Sequence, residues 1–231
     1  MNSTVSRLIK LLIVLVIALI GAYKTSEIET RKHDDSTVAI ETIDSPAGEV
    51  LASIPIKGRA AKTGYSREQF GGGWERIEDC DMRNYILARD LIETTFVTPG
   101  CKVASGILSD PYTGKHIFFI RGSETSDDVQ IDHVVALSDA WQKGAQQLSA
   151  EQRVTLANDP LELLAVEGQA NQNKSDGDAA TWLPPNKQYR CAYVARQVAV
   201  KKKYSLWMTR SEYDAIAGVL SSCPTQSLPH G

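Results

Sequence analysis

The apolar positions of this chain change their period several times. Residues 11–23, LLIVLVIALIGAY, are apolar and uncharged throughout. From 24 to 60 no period emerges, and the stretch is polar and acidic with prolines at 46 and 55, as in a linker of low order. A folded pattern begins near Ala61. The segment YSREQFGGGW (65–74) is a loop, punctuated by three consecutive glycines. DMRNYILARDLIETTF (81–96) places Ile86, Leu87, Leu91 and Ile92 at helical spacing, with Asp81 as the cap. KVASGILSD (102–110) and KHIFFIRG (115–122) are strand-like, and PYTG between them supplies a turn, so the two predict a hairpin. VQIDHVVAL (129–137) predicts a further strand or strand end. Residues 138–159 are helical in two pieces, the second capped by Ser149 through Gln152. PLELLAV (160–166) has strand character, a short helix follows around Ala170–Lys174, and 186–207 and 209–223 predict two longer helices, the last capped by Thr209 or Ser211. No internal repeat is present. This mixed order predicts an α+β fold, a small antiparallel sheet with helices packed around it.

Length and composition add the organisation. With 231 residues, the chain suits one domain with appendages: a domain over 61–225, the linker over 24–60 and a disordered tail over 226–231. Residues 1–23 carry Arg7 and Lys10 ahead of the apolar run, which is shorter than the ~20 residues of a bilayer span. This pattern fits a signal peptide, with Gly21 and Ala22 at the cleavage site, or else an uncleaved membrane anchor. Either way the remainder is exported, secreted or held at the cell surface. All four cysteines lie in that remainder, and none forms a C-x-x-C pair. That argues against a thiolate zinc site and for two disulfides, with the nearest-neighbour pairs Cys80–Cys101 and Cys191–Cys223 expected. The net charge of −3 indicates no polyanion partner by itself. Its distribution is more informative. Between Leu183 and Arg210 there are seven basic side chains and no acidic one, which fits either a solvated basic helix or a face that meets phosphates.

Candidate chemistry concentrates in QIDHVVALSDAW (130–141). Asp132 and His133 sit inside an apolar segment, where ionisable groups are costly unless paired, metal-bound or needed. Of the other histidines, His33 lies in the linker, His230 beside the end of the chain, and His116 in a strand without an acidic neighbour. Adjacent strand residues face opposite ways. A strand ending at this pair would let one side chain meet a metal and the other a substrate. Downstream come Asn158, the apolar PLELLAV, and ANQNKSD with Asn171 and Lys174. Nucleotide-binding, serine-hydrolase, zinc-protease and dinucleotide motifs are absent.

Taken together, IDHVVAL, NDPLELLAV and ANQNKSD resemble the HNH motif of the ββα-metal (His-Me finger) endonucleases. DPYTG, NKSDGDAATWLPPN and YRCAYVARQ extend the resemblance to secreted bacterial HNH-type proteins that share the C-terminal module of GmrSD-type restriction enzymes. It covers roughly Tyr65–Cys223. The resemblance implies a ββα-metal nuclease core and an exported, monomeric, metal-dependent endonuclease. Its substrate would be DNA, or RNA, cut with little sequence specificity. It implies Asp132 as metal ligand, His133 as general base, Asn158 or Asp159 as the residue that orients the histidine, Asn171 as second ligand and Lys174 as a phosphate contact. An Asp/Asn oxygen pair favours Mg²⁺ or Mn²⁺ over zinc. Arg83 is the first choice, ahead of Arg89 and Arg121, for a further phosphate contact. The chemistry is coherent without the family: a neutral imidazole accepts a proton from water, and a hard dication offsets charge on the phosphoryl group. The rival reading is a non-catalytic, disulfide-stapled surface or nucleic-acid-binding module on the same fold.

Overall fold

Local signals set most of the element boundaries in the computed structural model, which describes residues 45–122 and 126–229. Ser45 accepts a hydrogen bond from the Gly48 amide and opens α1 (Pro46–Ala52), with proline in the first turn. A two-residue ladder, β1 (Arg76–Ile77) with β2 (Cys80–Asp81), leads into α2 (Met82–Asp90), capped as expected by the Asp81 side chain. The helix predicted to run to residue 96 stops at Asp90. Ile92, Thr94 and Thr95 are β-branched and stiff at χ1, and the segment Leu91–Phe96 becomes strand β3. It pairs antiparallel with β4 (Val103–Ser109), which pairs in turn with β5 (His116–Ile120) in the predicted hairpin.

Strand β6 (Val129–His133) is followed by two short helices, α3 (Leu137–Gln142) and α4 (Ala150–Ala157), the latter opened by the expected Ser149–Gln152 capping box. Strand β7 (Leu163–Glu167) pairs antiparallel with β6, His133 opposite Leu163. The chain then turns at once into α5 (Gly168–Lys174). Only glycine fits at 168, because a Cβ there would collide with the Asp127 carbonyl. Two longer helices, α6 (Arg190–Lys203) and α7 (Arg210–Leu220, capped by Thr209), complete an α+β fold. Among the described residues there are seven α-helices and three small antiparallel sheets, where a single sheet was expected.

The β6–β7 pair lies between two parts of the core. Val129, Ile131, Leu163 and Ala165 pack toward α2 and the three-stranded sheet. Leu164 and Val166 pack the other way, with Tyr112 and Tyr193 and the helices α1, α6 and α7. A third cluster gathers Phe70, Trp141 and Leu156. Both expected disulfides are present, Cys80–Cys101 and Cys191–Cys223.

Packing begins earlier than the boundary expected at residue 61. Ala47, Leu51 and Ile54 are buried, and Pro55 to Lys57 bond the Met208 backbone. The described part of the expected tail, to residue 229, is also engaged, since Gln226 accepts from the Ala47 amide and Leu228 packs on the core, while 230–231 lie outside the described residues. The expected signal or anchor segment and residues 24–44 of the linker lie outside the described residues. No helix among the described residues is long and apolar enough to cross a membrane.

The basic run at the end of α6 divides. Lys202 and Lys203 are exposed, but Lys201 is fully buried, contrary to a uniformly solvated or phosphate-facing stretch. It joins a network in which Asp139, Asp178 and Glu212 surround the Lys143 ammonium at 2.7, 2.7 and 2.6 Å. Lys201 contacts Glu212 at 2.9 Å, and Arg59 reaches Asp139 and Asp178 from the surface. Three carboxylates thus face three cations, and burial is offset by neutrality. Lys143→Met leaves buried carboxylates short of a partner. It should destabilise the domain by about 3–5 kcal/mol in urea denaturation, whereas Lys202→Met should stay within about 0.5 kcal/mol. Equal, small effects of the two substitutions would refute this account of the network.

Candidate active site

The end of β6 opens onto two cavities. One, of about 230 Å³, is lined by Arg67, Phe70, the Gly71–Gly73 loop, Trp74, His133 and Ala157. The other, of about 420 Å³, is lined by Gln130, Asp132, His133, Ser138, Asn171 and Asp176 among others. Arg67, His133 and Leu137 belong to both, so His133 stands at their junction. β6 ends at His133, and both Asp132 and His133 reach the larger cavity, as a terminating strand permits.

His133 is held on two sides. Its Nε2 lies 2.9 Å from the Ala157 carbonyl oxygen, and its ring lies parallel to Trp74 at 5.7 Å between centroids. A carbonyl only accepts, so Nε2 carries the proton and Nδ1 keeps its lone pair. Burial lowers the imidazole pKa to about 3. The Ala157 carbonyl opposes that shift, while the positive charges of Arg67 and Lys174 add to it. The ring is therefore neutral at physiological pH.

Asp132 is buried, with Oδ1 paired to the Lys174 ammonium at 2.9 Å and Oδ2 accepting from the Tyr112 hydroxyl. Burial pushes its carboxyl up, against the pull of Lys174 and Tyr112. Lys174 also donates to the His133 carbonyl at 2.8 Å and is 2% exposed. The residue expected to meet a phosphate thus has an enclosed ammonium, paired with the Asp132 carboxylate and bonded to the His133 carbonyl. Asn171 donates through Nδ2 to Gln130 Oε1 at 2.8 Å, which leaves its Oδ1 without a partner among the described residues.

The remaining expected residues stand elsewhere. Asn158 donates to the Val154 carbonyl and accepts from the Glu75 amide, and it makes no hydrogen bond to His133. The group that orients the imidazole is the carbonyl one residue earlier, at the end of α4. Asp159 binds Tyr204, Lys203 and the Leu161 amide instead. Arg83 is part-buried and directs its guanidinium to the Ser126 and Val129 carbonyls, both 3.3 Å away, outside either cavity. Burial first, then Arg121, lowers its pKa. Arg89 and Arg121 are likewise committed to backbone and side-chain acceptors.

The arginine at the site is one the motif did not single out. Arg67 is exposed and is the only arginine among the described residues with no hydrogen bond or ion pair. Its sequence signal is slight, a basic residue in a short turn before three glycines. Elsewhere, Asp139, Asp178 and Glu212 place carboxylate oxygens close together, but the Lys143 ammonium occupies their centre.

Comparison with known proteins bears on this geometry. A family model described as GmrSD restriction endonucleases, C-terminal domain, matches residues 81–219. An uncharacterized secreted protein of Arthroderma benhamiae is 34% identical over 182 residues, covering 78% of this chain and 85% of its own. No solved structure matches the chain. The family match starts after Arg67, and it takes in the β6–β7–α5 unit with Asp132, His133, Asn171 and Lys174. The chain therefore belongs to the family of GmrSD restriction endonuclease C-terminal domains, which gives it a nuclease-related function.

Proposed function

We propose that the protein is an exported, HNH-type endonuclease that hydrolyses phosphodiester bonds in DNA with little sequence preference. One observation carries this reading. A neutral imidazole, its Nε2–H fixed on a carbonyl and its Nδ1 left as an acceptor, stands at the mouth of two cavities beside an unbonded guanidinium. In this role His133 Nδ1 takes the proton of the attacking water, and Arg67 holds the phosphate. An anion bound at Arg67 offsets the positive charge that depresses His133, so the base gains proton affinity once substrate is in place.

The larger cavity suits a hard cation. Asn171 Oδ1 has no partner among the described residues, since Gln130 holds the amide nitrogen, a partner that orients a ligand. Each Asp132 oxygen accepts one hydrogen bond and retains acceptor capacity. Asp132 and Asn171 would hold Mg²⁺ or Mn²⁺, which supplies charge neutralisation at the phosphoryl and leaving oxygens. Lys174 cancels much of the Asp132 charge, so affinity there depends on waters and substrate oxygens as well. Export is supported by the secreted relative, the two disulfides and the apolar N-terminal run.

Three outcomes follow. The exported chain should cut both supercoiled plasmid and single-stranded circular DNA in Mg²⁺ or Mn²⁺ and stop in EDTA. His133→Ala should lose about 10²–10⁴-fold in rate; failure of the wild type on every DNA form and metal would refute the nuclease reading, and full activity of His133→Ala would remove the assigned base. Arg67→Ala should weaken DNA binding and lower the slope of log affinity against log salt by about one; an unchanged slope would exclude a phosphate contact.

The pH dependence of stability has a definite sign. His133 is folded with a pKa near 3 but unfolds to an ordinary value of about 6.5, so the unfolded chain takes up the proton first. Its contribution is intact above that ordinary value and is lost as pH falls toward 3. Wild type should lose about 1.4 kcal/mol more per pH unit than His133→Gln below about pH 6. Parallel urea curves for the two proteins across that window would contradict the buried neutral state.

A further inference from the structure

We infer that the cavity behind the triple-glycine loop is a subsite for one unpaired nucleobase next to the cleaved phosphate, so that the preferred substrate is single-stranded nucleic acid. This deepens, and rests on, the endonuclease reading. The cavity, at about 230 Å³, falls below the roughly 300–1,000 Å³ of ordinary small-molecule pockets, which suits one ring system and not a base pair. Beside the glycine loop, its apolar and aromatic walls are Phe70, Leu137, Ala157 and the half-buried Trp74 that lies against His133. Bases stack on such surfaces with little regard to sequence.

The loop itself favours a flat ligand. Gly71, Gly72 and Gly73 carry no side chains, so a ring can approach the backbone closely. The amides of Gly72 and Gly73 bond no described residue and remain available to acceptors on a base edge. Charge sorts the ligand between the cavities. Arg67 at the junction attracts the phosphate, while the exposed Glu68 on the rim of the smaller cavity repels a second one. The neutral base therefore enters the glycine-lined cavity, and the phosphate stays beside His133. A base inside a duplex reaches such a recess only after unpairing, which costs a few kcal/mol that a single strand does not spend.

The test is binding of a labelled oligothymidylate and of a duplex of equal length to the full exported chain in metal-free buffer, where nothing is cut. Wild type should bind the single strand at least about tenfold more tightly, the scale of one stacked base. Gly72→Leu should abolish that preference. A Cβ at 72 meets nothing within 4 Å and the residue has no left-handed φ, so the substitution adds bulk to the loop that lines the cavity without straining the fold. Trp74→Leu keeps apolar bulk, removes the ring and should produce a similar loss, with far-UV circular dichroism confirming that both variants fold. Equal wild-type affinity for the two DNA forms would overturn the inference, as would undiminished preference in both variants. These outcomes are separable from the nuclease reading. A protein that shows the preference and its loss but cuts no DNA keeps the subsite and loses the enzyme. One that cuts DNA while Gly72→Leu and Trp74→Leu retain the preference does the reverse.

Discussion

The site depends on one buried ammonium. Lys174, at the last turn of α5, reaches back to the Asp132 carboxylate and the His133 carbonyl at the end of β6. Removing such a group from water is expensive, and the return from a single ion pair seldom exceeds the cost. What the contact secures is position. It fastens α5 to the strand it must face, fixes the Asp132 carboxylate against Tyr112, and closes the end of β6 where the imidazole turns outward. The Gly168 turn makes this reach feasible by starting α5 directly on the end of β7.

The same device recurs behind the larger cavity. Lys143 and Lys201 hold together α3, α7 and the segment around Asp178, with Arg59 closing the surface side. Asp178 and Asp139 are each two residues or fewer from Asp176 and Ser138, which line the cavity. One neutral cluster of three acids and three cations thus backs a polar recess, and its three carboxylates are donors that a metal ion would also accept. Each ammonium also excludes alternatives, because any shift of a helix would strand a buried charge.

How much was legible in the sequence follows from range. Caps at Asp81, Ser149 and Thr209, the β4–β5 turn, and the cysteine pairs are set by neighbours or by chemistry with few options, and they were readable. Asp132 and His133 were conspicuous because their apolar context was local. The burial of Lys174 and Lys201 was not legible, since lysine is usually exposed and the partner that holds Lys174 lies 42 residues away. Asn158 was one residue from the true contact; a backbone carbonyl carries no side-chain signature, so the Ala157 oxygen was invisible to any motif. Arg67 was missed for a further reason: its signal lies in having no partner, and that emerges only once every other arginine among the described residues is seen to have one. The helix predicted through 81–96 failed because β-branched residues followed good helix formers at the same apolar spacing.

The packing of α1 changes the geometry of any tethered form. The stretch expected to be free ran from 24 to 60, but the chain from Ser45 onward belongs to the folded body. Between the apolar segment ending at 23 and Ser45 there remain residues 24–44, which span at most about 70 Å when fully extended. A leash through residue 60 would have reached about 120 Å. The body that carries the site therefore begins about 16 residues earlier than the sequence pattern implied, and Ser45 opens it.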